Sequence, residues 1–176
     1  IADFLREADL LFGNLEGPVS LRGKNQGSIY SFRANPKAVE GLKFAGFNVF
    51  SVANNHILDW GKDALADTVK LLKKNDIQPV GAGINYEEAN TPARFMIHDT
   101  RLVIFAYTNL VSKSFSATKE SAGISSFELD RVKKSIAEAR AKADVIIVSL
   151  HWGEEYKTKA SDFQKKLARE LIDAGA

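Results

Sequence analysis

The sequence predicts an α/β fold, strands alternating with helices that cover both faces of a sheet. Three features predict it. "VFSVA" at 49–53 and "DVIIVSL" at 144–150 are continuous apolar runs of strand length without helical periodicity. The segments that follow carry apolar residues at helical spacing: Leu65, Val69 and Leu72 within 62–75, and Phe163, Leu167 and Leu171 beyond Ser161. Turn-forming and polar residues separate the two kinds of segment throughout.

Taken in order, "DLLFGNL" at 9–15 reads as a short buried strand. "NPKAVEGLKFAGFN" reads as a helix with Asn35 as its cap, Pro36 in its first turn and Gly46 as the left-handed residue after its end. The strand 49–53 and the helix 62–75 come next. "IQPVGAG" at 77–83 is a short strand and turn, and Pro79 assigns it to a sheet edge because proline cannot donate to a ladder. Residues 93–107 read as a hairpin with Asp99-Thr100 at its tip. The Ser/Thr-rich stretch 112–126 has no periodicity. Val132, Ile136 and Ala139 mark a helix face, with Asp130 near its start. After the strand 144–150, Ser161 and Gln164 form a capping box for the last helix. No internal repeat stands out.

Composition narrows the function classes. A chain of 176 residues is one domain by length and buries a real core. Its 45% apolar and 26% charged content is that of a globular protein. A net charge of +2, without a Lys/Arg block, gives no footprint for nucleic acid. With no cysteine, disulfides and thiolate chemistry are excluded. No apolar run approaches the ~20 residues of a membrane span, and no signal peptide is present. A start at Ile1 and a last stretch "LIDAGA" predict that both ends lie inside a longer chain.

Three strands end in polar clusters. "LLFGNLEGP" ends in Asn14 and Glu16; "VFSVANNHILDWG" ends in Asn54, Asn55, His56 and Asp59; "VIIVSLHWGEEY" ends in His151, Glu154, Glu155 and Tyr156. In open α/β sheets, ligands collect beyond the carboxyl ends of the strands, so parallel strands would bring all three clusters to one edge. Carboxylate, carboxamide oxygen and neutral imidazole suit divalent manganese, iron or zinc. Such an ion polarises a phosphoryl or acyl oxygen, and an imidazole beside it donates a proton to a leaving group.

Plainer readings stand beside these. Asn54 and Asn55 suit a left-handed turn. Asp59 either orients the His56 imidazole or caps a helix starting near Gly61. His151 is satisfied by backbone or faces the site. Trp152 and Tyr156 wall a cleft or pack in the core. His98 reads as surface, and Glu87 and Glu88 as solvated. Arg22, Lys24, Lys157 and Lys159 either steer an anionic polymer or are ordinary surface charges.

"NLEGP", "SVANNHILDWG" and "SLHWGEEY", in that order along nearly the whole chain, resemble the bacterial capsule synthesis protein CapA (PGA_cap) family. That family's fold is similar to the calcineurin-like metallophosphoesterases. The resemblance implies a single CapA-like domain over 1–176, truncated at both ends. It implies a metallophosphoesterase-like α/β sandwich with mixed sheets flanked by helices, present as a fragment. It places the protein in poly-γ-glutamate capsule biosynthesis, outside the membrane, with an anchor beyond this fragment. The implied partners are an anionic capsule polymer or a phosphate-containing substrate, together with other capsule synthesis subunits.

The resemblance assigns roles as well. Glu16, or less favourably Asn14, takes the place of a metal-bridging ligand. Asn55 and His151 take metal positions, and His56 lies where a general acid meets the scissile phosphate. Asn54, Asp59, Trp152, Glu155 and Tyr156 are the supporting or substrate-binding set. The pattern departs from true phosphatases in reading Asn-Leu-Glu where they are aspartate-rich. It also lacks an opening aspartate-bearing strand and a closing Gly-His-x-His motif. Divalent metal is therefore expected in the full-length protein and weak or absent in residues 1–176. Two functions follow: a metal-dependent, phosphoesterase-like hydrolase, or a non-catalytic polymer-binding and export subunit. An unrelated doubly wound enzyme is disfavoured, since no glycine-rich phosphate loop follows the first strand.

Overall fold

Apolar runs too short for helices become strands, of which the 49–51 segment is buried on both faces while 12–14, expected to be buried, and 145–151 are partly exposed. In the computed structural model, which describes all of residues 1–176, β1 (Phe12–Asn14), β2 (Val49–Ser51) and β3 (Gln78–Val80) form a parallel sheet in that order. All three residues of β2, the central strand, are buried. A second sheet contains β5 (Ala93–Ile97), β6 (Thr100–Thr108) and β8 (Val145–His151). Its β5–β6 pair is antiparallel and its β6–β8 pair is parallel. β4 (Ala82–Gly83) and β7 (Gly123–Ile124) make a small antiparallel pair. The helices are α1 (Ala2–Leu5), α2 (Ala38–Phe44), α3 (Gly61–Lys74), α4 (Tyr86–Asn90), α5 (Leu129–Arg140) and α6 (Asp162–Asp173), with a 3₁₀ turn at Lys113–Phe115.

Three apolar clusters stack these elements in layers. Val39 of α2 and Leu65, Val69 and Leu72 of α3 pack with Phe50 and Val52 on the outer face of the first sheet. Val49 and Val80 meet Ile104 and Ala106 between the two sheets. Val132 and Ile136 of α5 and Leu167 and Leu171 of α6 cover Val103, Phe105 and Ile146 on the outer face of the second. The result is the expected mixed α/β arrangement, two sheets flanked by helices. Each such side chain, fully buried, contributes roughly 1.5–3 kcal/mol of transfer free energy.

Several local expectations are met. Ser161 and Gln164 form both halves of the capping box. Gly46 has φ +91° just past α2. Pro79 lies in β3, an end strand of its sheet. His98 is exposed and bonds Asp9 Oδ1 through Nε2 at 2.8 Å.

Others are corrected. The hairpin turns at His98-Asp99, with Ile97 opposite Thr100. Both turn residues have positive φ, 45° and 65°. A two-residue type I′ turn needs that backbone, and β-branched Thr100 resists it more than histidine or aspartate does. Asn35 does not cap α2 directly; its Oδ1 accepts from the Lys37 amide at 3.0 Å in a turn before the helix begins at Ala38. The 77–83 run breaks at Gly81, φ +87°, into β3 and β4. Glu87 is exposed, but Glu88 is half-buried; it accepts from the Ile84 amide at 2.5 Å and pairs with Lys73. The 112–126 stretch contains the 3₁₀ turn and β7.

No helix is long and apolar enough to cross a membrane. β8 ends the second sheet, so one of its long sides has no neighbouring strand. Val145 and Ile147 on it are 42% and 43% exposed.

At the start of the β6–β8 ladder, the Arg101 guanidinium grips Asp144 with two bonds, 3.0 and 2.7 Å, and the Arg101 amide adds a third at 2.8 Å. These bonds hold the Asp144 carboxyl well below the usual carboxylate range. A depressed carboxyl contributes stability above its unfolded pKa of about 4, and that contribution is lost as pH falls through the folded value. Asp144→Asn is therefore expected to be less stable than the parent at pH 7. The gap should close as pH drops below about 4. Urea unfolding at the two pH values checks this, and a gap independent of pH would show that the ion pair plays no part.

Candidate functional site

The parallel register of β1 and β2 pairs Asn14 with Ser51, so both chains leave their strands at one edge. Asn54, 1% exposed, joins them. Its Nδ2 donates to Asn14 Oδ1 at 3.2 Å and to the Leu15 carbonyl at 2.9 Å. Its Oδ1 accepts from the His56 amide at 3.2 Å. A buried amide must be satisfied in this way, and here doing so fixes the loop that carries His56. Neither Asn54 nor Asn55 has a positive φ, so the left-handed turn reading fails.

His56 is held from several directions. Its Nδ1 lies 2.8 Å from Asp59 Oδ2. The same carboxylate oxygen accepts from the Phe32 amide at 2.8 Å. The Phe32 ring lies against the imidazole with centroids 4.3 Å apart. Asp59 is 5% exposed, and the N-cap of α3 is Trp60, without a side-chain bond. Asp59 is thus the partner of the imidazole rather than a helix cap. A carboxylate that accepts from Nδ1 places that nitrogen's hydrogen and leaves Nε2 to face the cleft.

β8 runs parallel to β6 and delivers His151 to the same edge. Thr108 Oγ1 donates to the His151 carbonyl at 2.8 Å. His151 Nε2 is 2.8 Å from Asn55 Oδ1. Glu16 Oε1 lies 3.9 Å from His56 Nε2 and 3.8 Å from His151 Nε2. The other oxygen of Glu16 accepts from Asn14 Nδ2 at 3.2 Å. Residues 14, 16, 54, 55, 56, 59 and 151 are therefore one connected cluster.

Above it opens a cleft of about 550 Å³ lined by Glu16, Tyr30, Phe32, His56, Glu155 and Tyr156. Glu155 and Tyr156 stand where the sequence placed them. Trp152 does not: it packs with Leu150 on the α5–α6 cluster and lines an apolar groove beside α6. Glu154 is exposed and pairs with Lys157 at 3.7 Å. Arg22 pairs with Asp67. Lys24 lines a separate cavity of about 610 Å³ with Trp60 and Lys62, and Lys159 lines another beside Ser161 and Gln164. None of those four basic residues lines the cleft.

Phe32 and Tyr30 are the site residues that sequence reading missed. They lie in a loop without periodicity, and Phe32 reaches the site through its main-chain N–H, which any residue other than proline would supply.

The donors have the right chemical kinds for a divalent ion, but no group of three or more His, Asp and Glu side chains is arranged to hold one. The arrangement does present an imidazole with one nitrogen fixed by a buried carboxylate and the other open to a cleft. That geometry allows proton transfer to a bound group.

The profile described as "Bacterial capsule synthesis protein PGA_cap" matches residues 1–176. The capsule biosynthesis protein CapA of Bacillus anthracis is 34% identical over 184 residues, covering 100% of this chain and 45% of that protein. The PGA biosynthesis protein CapA of Bacillus subtilis is 30% identical, covering 100% of this chain and 47% of that one. The chain thus spans about half the length of the curated relatives it matches. Among solved structures, a hypothetical protein from Thermus thermophilus superposes with a TM-score of 0.54 at 18% identity, over 97% of this chain and 54% of that one, a likeness of fold alone. On the full-length profile match and the two relatives, the chain belongs to the bacterial capsule synthesis (PGA_cap) family.

Proposed function

We propose that this chain is the site-bearing part of a protein that builds poly-γ-glutamate or a related capsule polymer. The full-length protein works outside the membrane and is anchored to it. The CapA relatives support the pathway. The observation that carries the site is the meeting of Glu16, His56 and His151, from three distant segments, within 3.9 Å.

The reaction we assign is hydrolysis of a phosphate ester or of the polymer itself. Water is the nucleophile: its oxygen bonds phosphorus or the amide carbonyl carbon, and its proton passes to solvent as the bond to the leaving group breaks. His56, protonated, donates from Nε2 to that leaving group, the ester oxygen or the amide nitrogen, while Asp59 on Nδ1 holds the ring and stabilises its positive charge. Phe32 keeps the ring from turning. Asn54 fixes the loop, and Glu155 and Tyr156 contact the substrate. Glu16, with Asn14 as the less favoured choice, Asn55 and His151 are the donors this chain would contribute to a manganese, iron or zinc ion. When bound, such an ion would supply a Lewis acid. These residues alone do not form a metal centre, so no step of the proposal passes through one. The second reading is a non-catalytic polymer-binding and export subunit working with other capsule subunits. The solvent-open aromatic mouth of the cleft favours it.

Calorimetric titration of the full-length protein with manganese and with zinc separates the two. Binding of either, lost in His151→Ala, supports the hydrolase. Failure of both ions, together with intact polymer production in His56→Ala, removes it and leaves the binding subunit. Residues 1–176 alone are expected to bind these ions weakly or not at all; tight binding would show that the donor list is wrong.

A further inference from the structure

We infer that a second, cationic hollow beside the cleft binds the pendant carboxylates of a γ-linked glutamate chain. The inference rests on the proposed polymer for the ligand's name, but on different residues for the site.

The hollow measures about 610 Å³ and shares two walls with the cleft. The first wall is the segment after β2: His56 lines the cleft, while Leu58, Trp60 and Gly61 line the hollow. The second is the loop before α2: Tyr30 and Phe32 line the cleft, while Gly23, Lys24 and Gln26 line the hollow. Asp59 ties the walls together. Its carboxylate accepts from the Phe32 amide at 2.8 Å, and its carbonyl accepts from the Gln26 amide at 2.9 Å. A chain ligand that leaves the cleft along these segments reaches the hollow.

The loop is built to hold Lys24 there. Gly23 has φ +91°, and a Cβ on it would fall 2.0 Å from the Trp60 carbonyl oxygen, so only glycine lets the loop lie this close. Gln26 Nε2 donates to the Lys24 carbonyl at 2.5 Å and fixes the main chain at that residue.

Charge in the hollow is unbalanced. Lys24 and Lys62 line it against one carboxylate, Asp63, whose charge also acts on Arg22. Neither lysine is in an ion pair, and Lys62 Nζ donates to a neutral partner, Ser121 Oγ at 2.8 Å. The Arg33 guanidinium lies 3.5 Å from the centre of the Trp60 ring. α3 starts at Gly61 without a side-chain cap, so its first amides add donors at the same place. Trp60 Nε1 is a buried donor with no acceptor, a rare state that a carboxylate against this wall would relieve. A concavity lined mainly by one sign of charge concentrates ions of the other.

The volume is in the range of small-molecule sites of roughly 300–1,000 Å³, well above what a lone inorganic anion would fill. Leu58, Trp60 and Phe115 supply apolar walls. A γ-linked glutamate unit matches both features. The two methylenes of its main chain lie on apolar walls, and its free carboxylate meets the lysines.

The test is calorimetric titration of the full-length protein with a synthetic γ-linked glutamate decamer, with AMP in parallel because lysines and aromatic walls also suit a nucleotide. The decamer is expected to bind. Lys24→Ala and Lys62→Ala should each weaken it about tenfold, equivalent to about 1.4 kcal/mol. The parent's affinity should fall as salt rises from about 0.05 to about 0.5 M, and less steeply in both variants. Circular dichroism and the melting temperature should stay those of the parent, because both lysines are exposed. Lys43→Ala, which removes a lysine paired with Asp76 elsewhere, should bind as the parent does. Failure of the decamer to bind overturns the inference. So does binding that ignores both lysines, or AMP displacing the decamer through them. The two readings fail separately. If His56→Ala leaves capsule production intact while the lysine variants weaken binding, the catalytic reading falls and this one stands. If His56→Ala stops production and the lysine variants bind as the parent does, the reverse holds.

Discussion

In cells that depend on the full-length protein, His56→Ala is expected to reduce capsule polymer at least 100-fold. General acid–base groups contribute about 10²–10⁴-fold to a reaction, and no other residue of the cleft has an imidazole with a free nitrogen facing it. His151 is the other histidine nearby, and its Nε2 is engaged by Asn55. Asp59→Asn should give a smaller loss, about 10–100-fold, since an amide still fills the space but no longer stabilises a charged ring. Quantifying surface polymer by immunoassay, with the variant proteins shown to be present at parental levels, reads both effects. Full polymer production by His56→Ala would end the catalytic assignment.

The second large effect is on stability and lies at Gly81. This residue sits where β3 passes into β4, at φ +87°. An added Cβ would fall 2.6 Å from the Ala106 carbonyl oxygen and 2.6 Å from Ala53 Cβ. Both neighbours are buried members of the cluster between the sheets, so neither can move away without disturbing it. A left-handed backbone costs an L-residue about 1–2 kcal/mol, and overpacking a core costs about as much again. Gly81→Ala should therefore lose about 3 kcal/mol in total. For a chain of this size, that lowers the melting temperature by roughly 6–12 °C. Thermal unfolding followed by circular dichroism measures it; a shift of less than about 2 °C would mean the sheets separate freely at this point. Because Ala53 directly precedes Asn54, the same variant should also loosen the His56 loop.

The parts of this fold legible in the sequence are those where local chemistry decides. "VFSVA" and "DVIIVSL" had to be strands because they are too short and too uniformly apolar for an amphipathic helix. The Ser161–Gln164 capping box is complete within four residues. The meeting of Asn14, Glu16, His56 and His151 was legible because parallel strands bring their carboxyl ends to one edge.

What was missed depends on contacts across the molecule or on backbone angles. The hairpin tip shifted by one residue because φ at His98 and Asp99 decided it. Glu88 reads as solvated in the sequence because nothing local announces a bond from the Ile84 amide. Trp152 was placed beside the cleft by its nearness to His151, yet alternation along β8 turns it towards α6. Phe32 is invisible because a main-chain donor has no residue signature, and Tyr30 because it lies in a loop without periodicity.

The bare side of β8 has a practical consequence. Its amide and carbonyl groups are an unused capacity for hydrogen bonding, running beside Val145 and Ile147. At high concentration two copies of residues 1–176 produced alone can satisfy it by zipping together, lengthening the sheet across molecules and seeding insoluble deposits. Lysine in place of Ile147 would set positive charges against each other along that seam and keep the copies apart.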